Sequence, residues 1–176
     1  EGDRVAKDSD ALYISRGQEI QVVDRKSLQP RGVLKLHQQA YETQLFVKNN
    51  KLFVVQNGGE TNLFLFETQP GQLPKLISEN KISGNLTDLR MVGQKAVLVV
   101  NGYLNEASIQ TDTVGGVKCS CYVRPFKDDS LGANKILIID TSVNTIPVQS
   151  LGLIGNSSTL YMTSDKIFIT AYDWSV

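Results

Sequence analysis

The sequence predicts an all-β chain built from a repeated unit of four antiparallel strands, and three observations carry that reading. First, a strand, a short polar turn and a second strand recur four times. The copies are Arg4 to Ser15 (RVAKDSDALYIS), Gln44 to Gln56 (QLFVKNNKLFVVQ), Leu89 to Val100 (LRMVGQKAVLVV) and Leu160 to Ala171 (LYMTSDKIFITA). Second, the copies are evenly spaced. Ala11, Lys51, Lys95 and Lys166 open the second strand of each, at steps of 40, 44 and 71 residues, and the last step falls to 39 without the 32 residues from Gly102 to Ala133. Third, no stretch keeps helical periodicity over three turns; Ile82 to Val92 comes nearest, and Gly84, Asn85 and a β-rich continuation argue against a helix there.

Two more strands follow each of the first three hairpins. In the first unit Glu19 to Asp24 (EIQVVD) leads to Gly32 to Leu36 (GVLKL), and in the second Asn62 to Glu67 (NLFLFE) leads to Pro74 to Ser78 (PKLIS). In the third, Lys135 to Asp140 (KILIID) leads to Ile146 to Leu153 (IPVQSLGL). All are short runs rich in Val, Ile, Leu and Phe, bounded by Gly, Pro, Asn and Ser, which is strand punctuation. Asp24, Glu67 and Asp140 share one place, the end of the third strand, where an acceptor side chain can bond the backbone of the following turn.

A period of about 40 to 45 residues with four strands per unit is the signature of β-propeller blades. The chain therefore reads as a β-propeller fragment of three four-stranded antiparallel blades plus the terminal hairpin of a fourth. Blade 1 spans about 4–37, blade 2 about 44–79, blade 3 about 88–154 with an insertion over 102–133, and the blade 4 hairpin 159–171. Three blades and a hairpin do not close a ring, since propellers have four to eight blades. The expectation is that Ile167 to Ala171 pairs with a strand outside these residues, in a continuation, a companion fragment or another copy. Glu1 in place of Met fits a native start further upstream.

Arg4 to Ser15 followed by Ile20-Gln21-Val22-Val23-Asp24 resembles the first blade of the secreted bacterial and archaeal proteins with a C-terminal β-propeller domain, distant relatives of WD40 repeats. Ile136 to Asp140, Gly155, Leu160 to Met162 and Ile167 to Ile169 are similar to that family's later blades. The resemblance covers most of the chain outside Gly102 to Ala133. It implies an extracytoplasmic protein (secreted, periplasmic or on the cell surface) of several hundred residues with no assigned activity, and it brings no catalytic residue with it.

Composition narrows the function classes. Eighteen basic and eighteen acidic residues give a formal net charge of zero, spread evenly, so the chain carries no electrostatic footprint for nucleic acid. No run reaches the 18 apolar residues of a membrane span. His37 is the only histidine and falls on the predicted rim strand of the first blade, with no serine or cysteine placed beside it by sequence. A nucleophile–base pair needs hydrogen-bond reach, so a solvated rim histidine is the simpler reading.

Cys119 and Cys121 are the only cysteines. On a strand they would face the same way with Cα atoms roughly 6.5 Å apart, near the upper limit for a disulfide. Free or small-hydrophobe cysteines rank slightly ahead of a disulfide, whether between the two or to a part of the protein outside these residues, and a metal site comes last because zinc takes about four ligands. Asp8-Ser9-Asp10 opens like a calcium loop but lacks its glycine and its later acidic ligand, so a tight turn accounts for it. No cofactor is called for by any motif.

The insertion reads equally as a solvated excursion packed over its own blade and as a contact surface, and the second reading makes it the place where function is expected. Long loops on a rigid scaffold concentrate binding residues, and this one links strands two and three, which places its roots on the face of the inter-blade crossovers. Its candidates are Tyr103, Glu106, Tyr122, Arg124, Phe126 and Asp128, and aromatic and arginine residues are enriched in binding surfaces. Two function classes follow. One is a non-catalytic binding or scaffold module that contacts a protein or glycan through the crossover face. The other is part of a secreted propeller hydrolase or lyase, with a carboxylate pair among Glu106, Asp128 and Asp129 and further catalytic residues outside this chain. Adjacent Asp128 and Asp129 would point to opposite faces of a strand, which weakens that pair, and the binding module is favoured because the sequence shows no catalytic set and a propeller fold alone does not imply one.

Overall fold

A computed structural model describes residues 4–36, 40–103, 113–114, 117–118, 122–123, 132–143, 148–155, 157–163 and 165–171. Every regular element in them is a strand. The first sheet holds β1 (Val5–Lys7), β2 (Ala11–Arg16), β3 (Glu19–Asp24) and β4 (Pro30–Lys35), hydrogen-bonded in chain order. The second repeats the arrangement with β5 (Glu42–Lys48), β6 (Lys51–Asn57), β7 (Thr61–Glu67) and β8 (Lys75–Ile82).

The third begins with β9 (Asn85–Val92) and β10 (Lys95–Tyr103). Next come three short strands: β11 (Thr113–Val114) and β12 (Val117–Lys118), which pair with each other, and β13 (Tyr122–Val123). Then β14 (Gly132–Asp140) and β15 (Val148–Ile154) complete the antiparallel four, with order β9-β10-β14-β15 and β13 added parallel on the far edge of β15. A hairpin of β16 (Ser157–Met162) and β17 (Ile167–Ala171) follows. This is the expected all-β architecture, three antiparallel four-stranded sheets and a hairpin.

The strands form because side chains on both faces of the inner sheets find a neighbour to pack on. In β6 and β7 alternation disappears: Leu52 to Val55 and Leu63 to Phe66 are all buried, as a sheet covered on both faces requires. Their even and odd members go to different cores. Leu52, Val54, Phe64 and Phe66 join Ala11, Tyr13, Ile20, Val22 and Leu34 of the first sheet. Phe53, Val55, Leu63 and Leu65 join Leu89, Ala96, Leu98, Leu137 and Ile139 of the third. Beyond the third sheet, Val97, Val99 and Ile136 meet Met162, Ile167 and Ile169 of the hairpin. Each sheet thus packs face to face on the next, and each fully buried Leu or Phe contributes about 1.5–3 kcal/mol.

The links are short. Asn49 and Asn50 both have positive φ (52° and 57°), the left-handed pair that a tight hairpin turn requires. Ser83 and Gly84 alone separate β8 from β9, so those strands continue past 79 and 88, the limits read from sequence. Likewise Gly102 pairs with Ala133 and Tyr103 with Gly132, which makes the two ends of the insertion part of the β10–β14 ladder.

Candidate functional site at the crossover face

Antiparallel order gives each sheet two ends. The β1–β2, β5–β6 and β9–β10 turns lie at one end, together with the links from the third to the fourth strand. At the other lie Gly17-Gln18, Gly58 to Glu60, the roots of the insertion, and the crossovers from one sheet to the next. This second end is the crossover face.

Polar side chains there stitch neighbouring sheets. Asn57 at the end of β6 donates from Nδ2 to Leu86 O and accepts from Leu86 N on its Oδ1, both at 3.3 Å. Thr61 Oγ1 donates to Gly84 O at 2.9 Å. Thr43 Oγ1 reaches Gly17 O of the first sheet at 3.4 Å and accepts from Gln56 Nε2 at 3.4 Å. Lys135, buried at the end of the interface, donates from Nζ to Ser83 O. In the third sheet Asn101 Nδ2 donates to Asn134 Oδ1, and Asn134 Nδ2 to Gly155 O, each at 3.0 Å.

Between the first two sheets this face is open. A cavity of about 350 Å³ is lined by Gln18, Ala40, Tyr41 and Gly58. A second, of about 110 Å³, shares Ala40 and Tyr41 and reaches Arg4, Glu42 and Thr43. Tyr41 is 89% exposed. Its backbone is held, N–H to Asn57 O at 2.8 Å, so the ring projects from a fixed base. An exposed tyrosine beside a carboxylate, a guanidinium and an amide suits stacking and hydrogen bonding to a polar ligand.

The predicted residues divide. Tyr103 is 87% exposed at the end of β10, on the same face as Tyr41. Tyr122 lies in β13, its backbone opposite Gly152 of β15. Glu106, Arg124, Phe126 and Asp128 lie outside the described residues, as do Asp129, His37, Cys119 and Cys121. The insertion leaves from the crossover face, yet its described pieces follow the outer rim: β13 extends the β15 edge and β11 lies against β8. Tyr41 was not singled out from sequence. The available signal was an aromatic in a crossover, outside the alternation of the strands on either side.

The opposite end is occupied with its own structure. Asp8 Oδ1 accepts from the N–H groups of Asp10 and Ala11, both at 2.7 Å, closing the tight turn expected there, and its Oδ2 accepts from Tyr13 OH at 2.7 Å. Burial and that bond push the Tyr13 phenol above its usual range. Asp24 Oδ1 accepts from Lys26 N and Ser27 N, and Asp140 Oδ1 from Ser142 N, which is the turn role expected of them. Arg31 bridges Asp10 and Asp24, and Gly71 N of the second sheet's loop donates to Asp10 at 2.9 Å. The Ser27 amide and then Arg31 hold the Asp24 carboxyl well below the usual carboxylate range; Arg31 and then the Gly71 amide lower Asp10. Among the described residues no group of three or more His, Cys, Asp or Glu is placed to hold a metal.

The family described as Beta propeller domain matches residues 1–176, the whole chain. The chain belongs to this β-propeller family. Its sheets are accordingly blades, with β1, β5, β9 and β16 as first strands and β4, β8 and β15 as fourth. No curated protein matches the propeller. Solved structures that resemble it include two single-substitution variants of the Synechocystis apocarotenoid oxygenase, each 13% identical with a TM-score of 0.42. They match over 94% of this chain and 38% of theirs, so the propeller spans little more than a third of those chains.

Proposed function

We propose that this propeller is a non-catalytic binding or scaffold module that acts outside the cytoplasm and meets a protein or glycan through its crossover face. The observation that supports the reading is the placement of Tyr41 and Tyr103. They are the two most exposed large hydrophobic side chains among the described residues, at 89% and 87%, and both stand on that face. Exposed aromatics on a rigid base lose little conformational entropy on binding, which is why they anchor interfaces. Arg124, Glu106, Phe126 and Asp128 of the insertion belong to the same proposed surface, and Tyr122 borders it from the rim strand β13. The extracytoplasmic location rests on the resemblance to secreted propeller proteins. A further partner is the remainder of a ring, supplied as a continuation, a companion fragment or other copies.

The test is binding of soluble oligosaccharides and purified extracellular proteins to the immobilised propeller. Tyr41→Ala with Tyr103→Ala should weaken a captured ligand by about tenfold or more, as for central aromatic anchors. Tyr122→Ala with Arg124→Ala should act in the same direction. Leu28→Ala and Asn50→Ala, at the opposite end, should leave binding unchanged. The reverse pattern in folded protein would overturn the assignment of the face.

A further inference from the structure

Blade 2 carries a polar row that the repeat does not require. Thr43, Gln56, Asn62 and Lys81 stand opposite one another across β5, β6, β7 and β8. The row belongs to the side that faces blade 1, since the next members of that side on β6 and β7 are Val54 and Phe64 of the shared core. Thr43, Gln56 and Asn62 are 5%, 0% and 3% exposed. Blade 3 has Val100 and Lys135 in the places of Gln56 and Asn62, opposite each other in the same way. The Thr43 hydroxyl is taken up by Gly17 O and Gln56 Nε2, and Lys81 is paired with Glu60. Gln56 Oε1 and Asn62 Oδ1 are buried and accept no hydrogen bond from any described residue. Unpaired buried acceptors are destabilising and uncommon in native proteins.

Above this row lies the crossover-face cavity of about 350 Å³, between Gln18 of blade 1 and Gly58 of blade 2. Gly58 follows Gln56 by two residues, so the two amides lie beneath the cavity, between it and the apolar core. The volume is at the small end for ligand pockets. The adjoining cavity shares Tyr41 and adds Arg4, Glu42 and Thr43, whose donors and acceptors are mixed and whose two charges cancel. What a ligand sets over the amides decides its class. An apolar side chain from a protein partner brings no donor and leaves both acceptors unpaired. A neutral sugar ring brings several hydroxyl donors, together with a C–H face for an exposed tyrosine.

We propose that the crossover face takes a neutral saccharide, one ring of which enters the cavity beside Tyr41 and donates from its hydroxyls to Gln56 Oε1 and Asn62 Oδ1 as those amides turn toward it. Tyr41 covers the C–H face of the ring, and Arg4 and Glu42 bond the hydroxyls left at the rim. The ligand thus completes a polar row that the blades leave unsatisfied. This choice rests on the crossover-face function and selects its glycan branch, and it can fail while that function stands.

The experiment is isothermal titration calorimetry of the propeller with methyl glucoside, methyl galactoside and methyl mannoside, and with methyl glucuronide as the charged counterpart. At least one neutral glycoside should saturate below roughly 10 mM, and the glucuronide should bind no tighter. Asn62→Leu should weaken that glycoside at least about tenfold while raising the midpoint of urea unfolding, because it removes an unpaired buried acceptor. Tyr41→Ala should weaken it by a similar factor, and Tyr41→Trp should keep it. Monodeoxy forms of the bound glycoside depend on no protein variant, and at least one should bind about tenfold more weakly or worse. Absence of saturation, equal binding of every deoxy form, tighter binding of the glucuronide, unchanged binding in Asn62→Leu or a lowered urea midpoint there would each overturn the proposal. Should a protein ligand then be captured and lost in Tyr41→Ala, the crossover-face function stands with a protein partner. Sugar binding that survives Tyr41→Ala and is lost in Leu28→Ala, at the opposite end, would overturn both.

Discussion

Lys51, Lys95 and Lys166 hold the same slot in successive repeats, but only Lys51 is buried, at 5% exposure. Its Nζ donates to Thr141 O at 3.2 Å and to Val143 O, carbonyls of the blade 3 loop after β14. Replacing Lys51 with methionine keeps most of the stem and removes the cation. The bond to Thr141 O is buried, so that carbonyl is left without its donor, whereas Val143, 38% exposed, can turn to water. Losing a charge-assisted bond costs about 1.5–3 kcal/mol and the half-exposed one about 0.5–1.5, partly offset by the burial cost of the ammonium that no longer has to be met. The expected loss is about 3 kcal/mol, or about 6–12 °C in Tm for a chain of this size.

Urea unfolding would measure the loss, and hydrogen exchange would locate it. The Thr141 amide, which donates to Gln94 O at 2.9 Å, should lose protection in Lys51→Met before the amides of β6 do. Lys95→Met and Lys166→Met, at exposed positions, should stay within about 0.5 kcal/mol of the parent. A Lys51→Met protein within that same margin, or one whose Thr141 amide stays protected, would refute the idea that the amine clamps blade 2 to blade 3.

Three other perturbations test the junctions. Asn57→Ala removes a donor and an acceptor from the Leu86 backbone and should cost about 1–2 kcal/mol, with faster exchange at the Leu86 amide. Gly84→Ala should cost at least about 2 kcal/mol in urea unfolding, because φ is +115° and the added Cβ would stand 2.6 Å from Asn101 O and 2.8 Å from Val100 Cγ1. Gly17→Ala, at φ +63° with open space around it, should cost less. Asp24 is lowered from 3.8 in the folded chain, so its stabilising contribution is present above that value and is lost as pH falls below it. Asp24→Asn should accordingly flatten the fall in Tm between about pH 4 and pH 2, and an unchanged acid limb would count against the Ser27 and Arg31 contacts as its cause.

The two exposed tyrosines of the crossover face were legible to different degrees. Tyr103 could be found because the insertion interrupts an otherwise regular period, and it is exposed on the expected face. Tyr41 sits in a crossover of ordinary length, where nothing in spacing marks it.

What the sequence determined by itself is the local order. Short apolar runs, Asn-Asn or glycine at the turns and the 40-residue spacing specify the hairpins, the third and fourth strands and the repeat, because pairing between sequence neighbours closes short loops at low entropic cost. What only the tertiary structure decided is which identical-looking positions differ. Leu52 and Phe53 face different blades, Lys51 is buried while Lys95 is exposed, and Tyr122-Val123 adds a parallel strand to the edge of β15. Those outcomes depend on contacts between residues far apart in the chain, where an edge's free N–H and C=O groups and the space between two sheets select the partner, and neither quantity exists until the blades have packed.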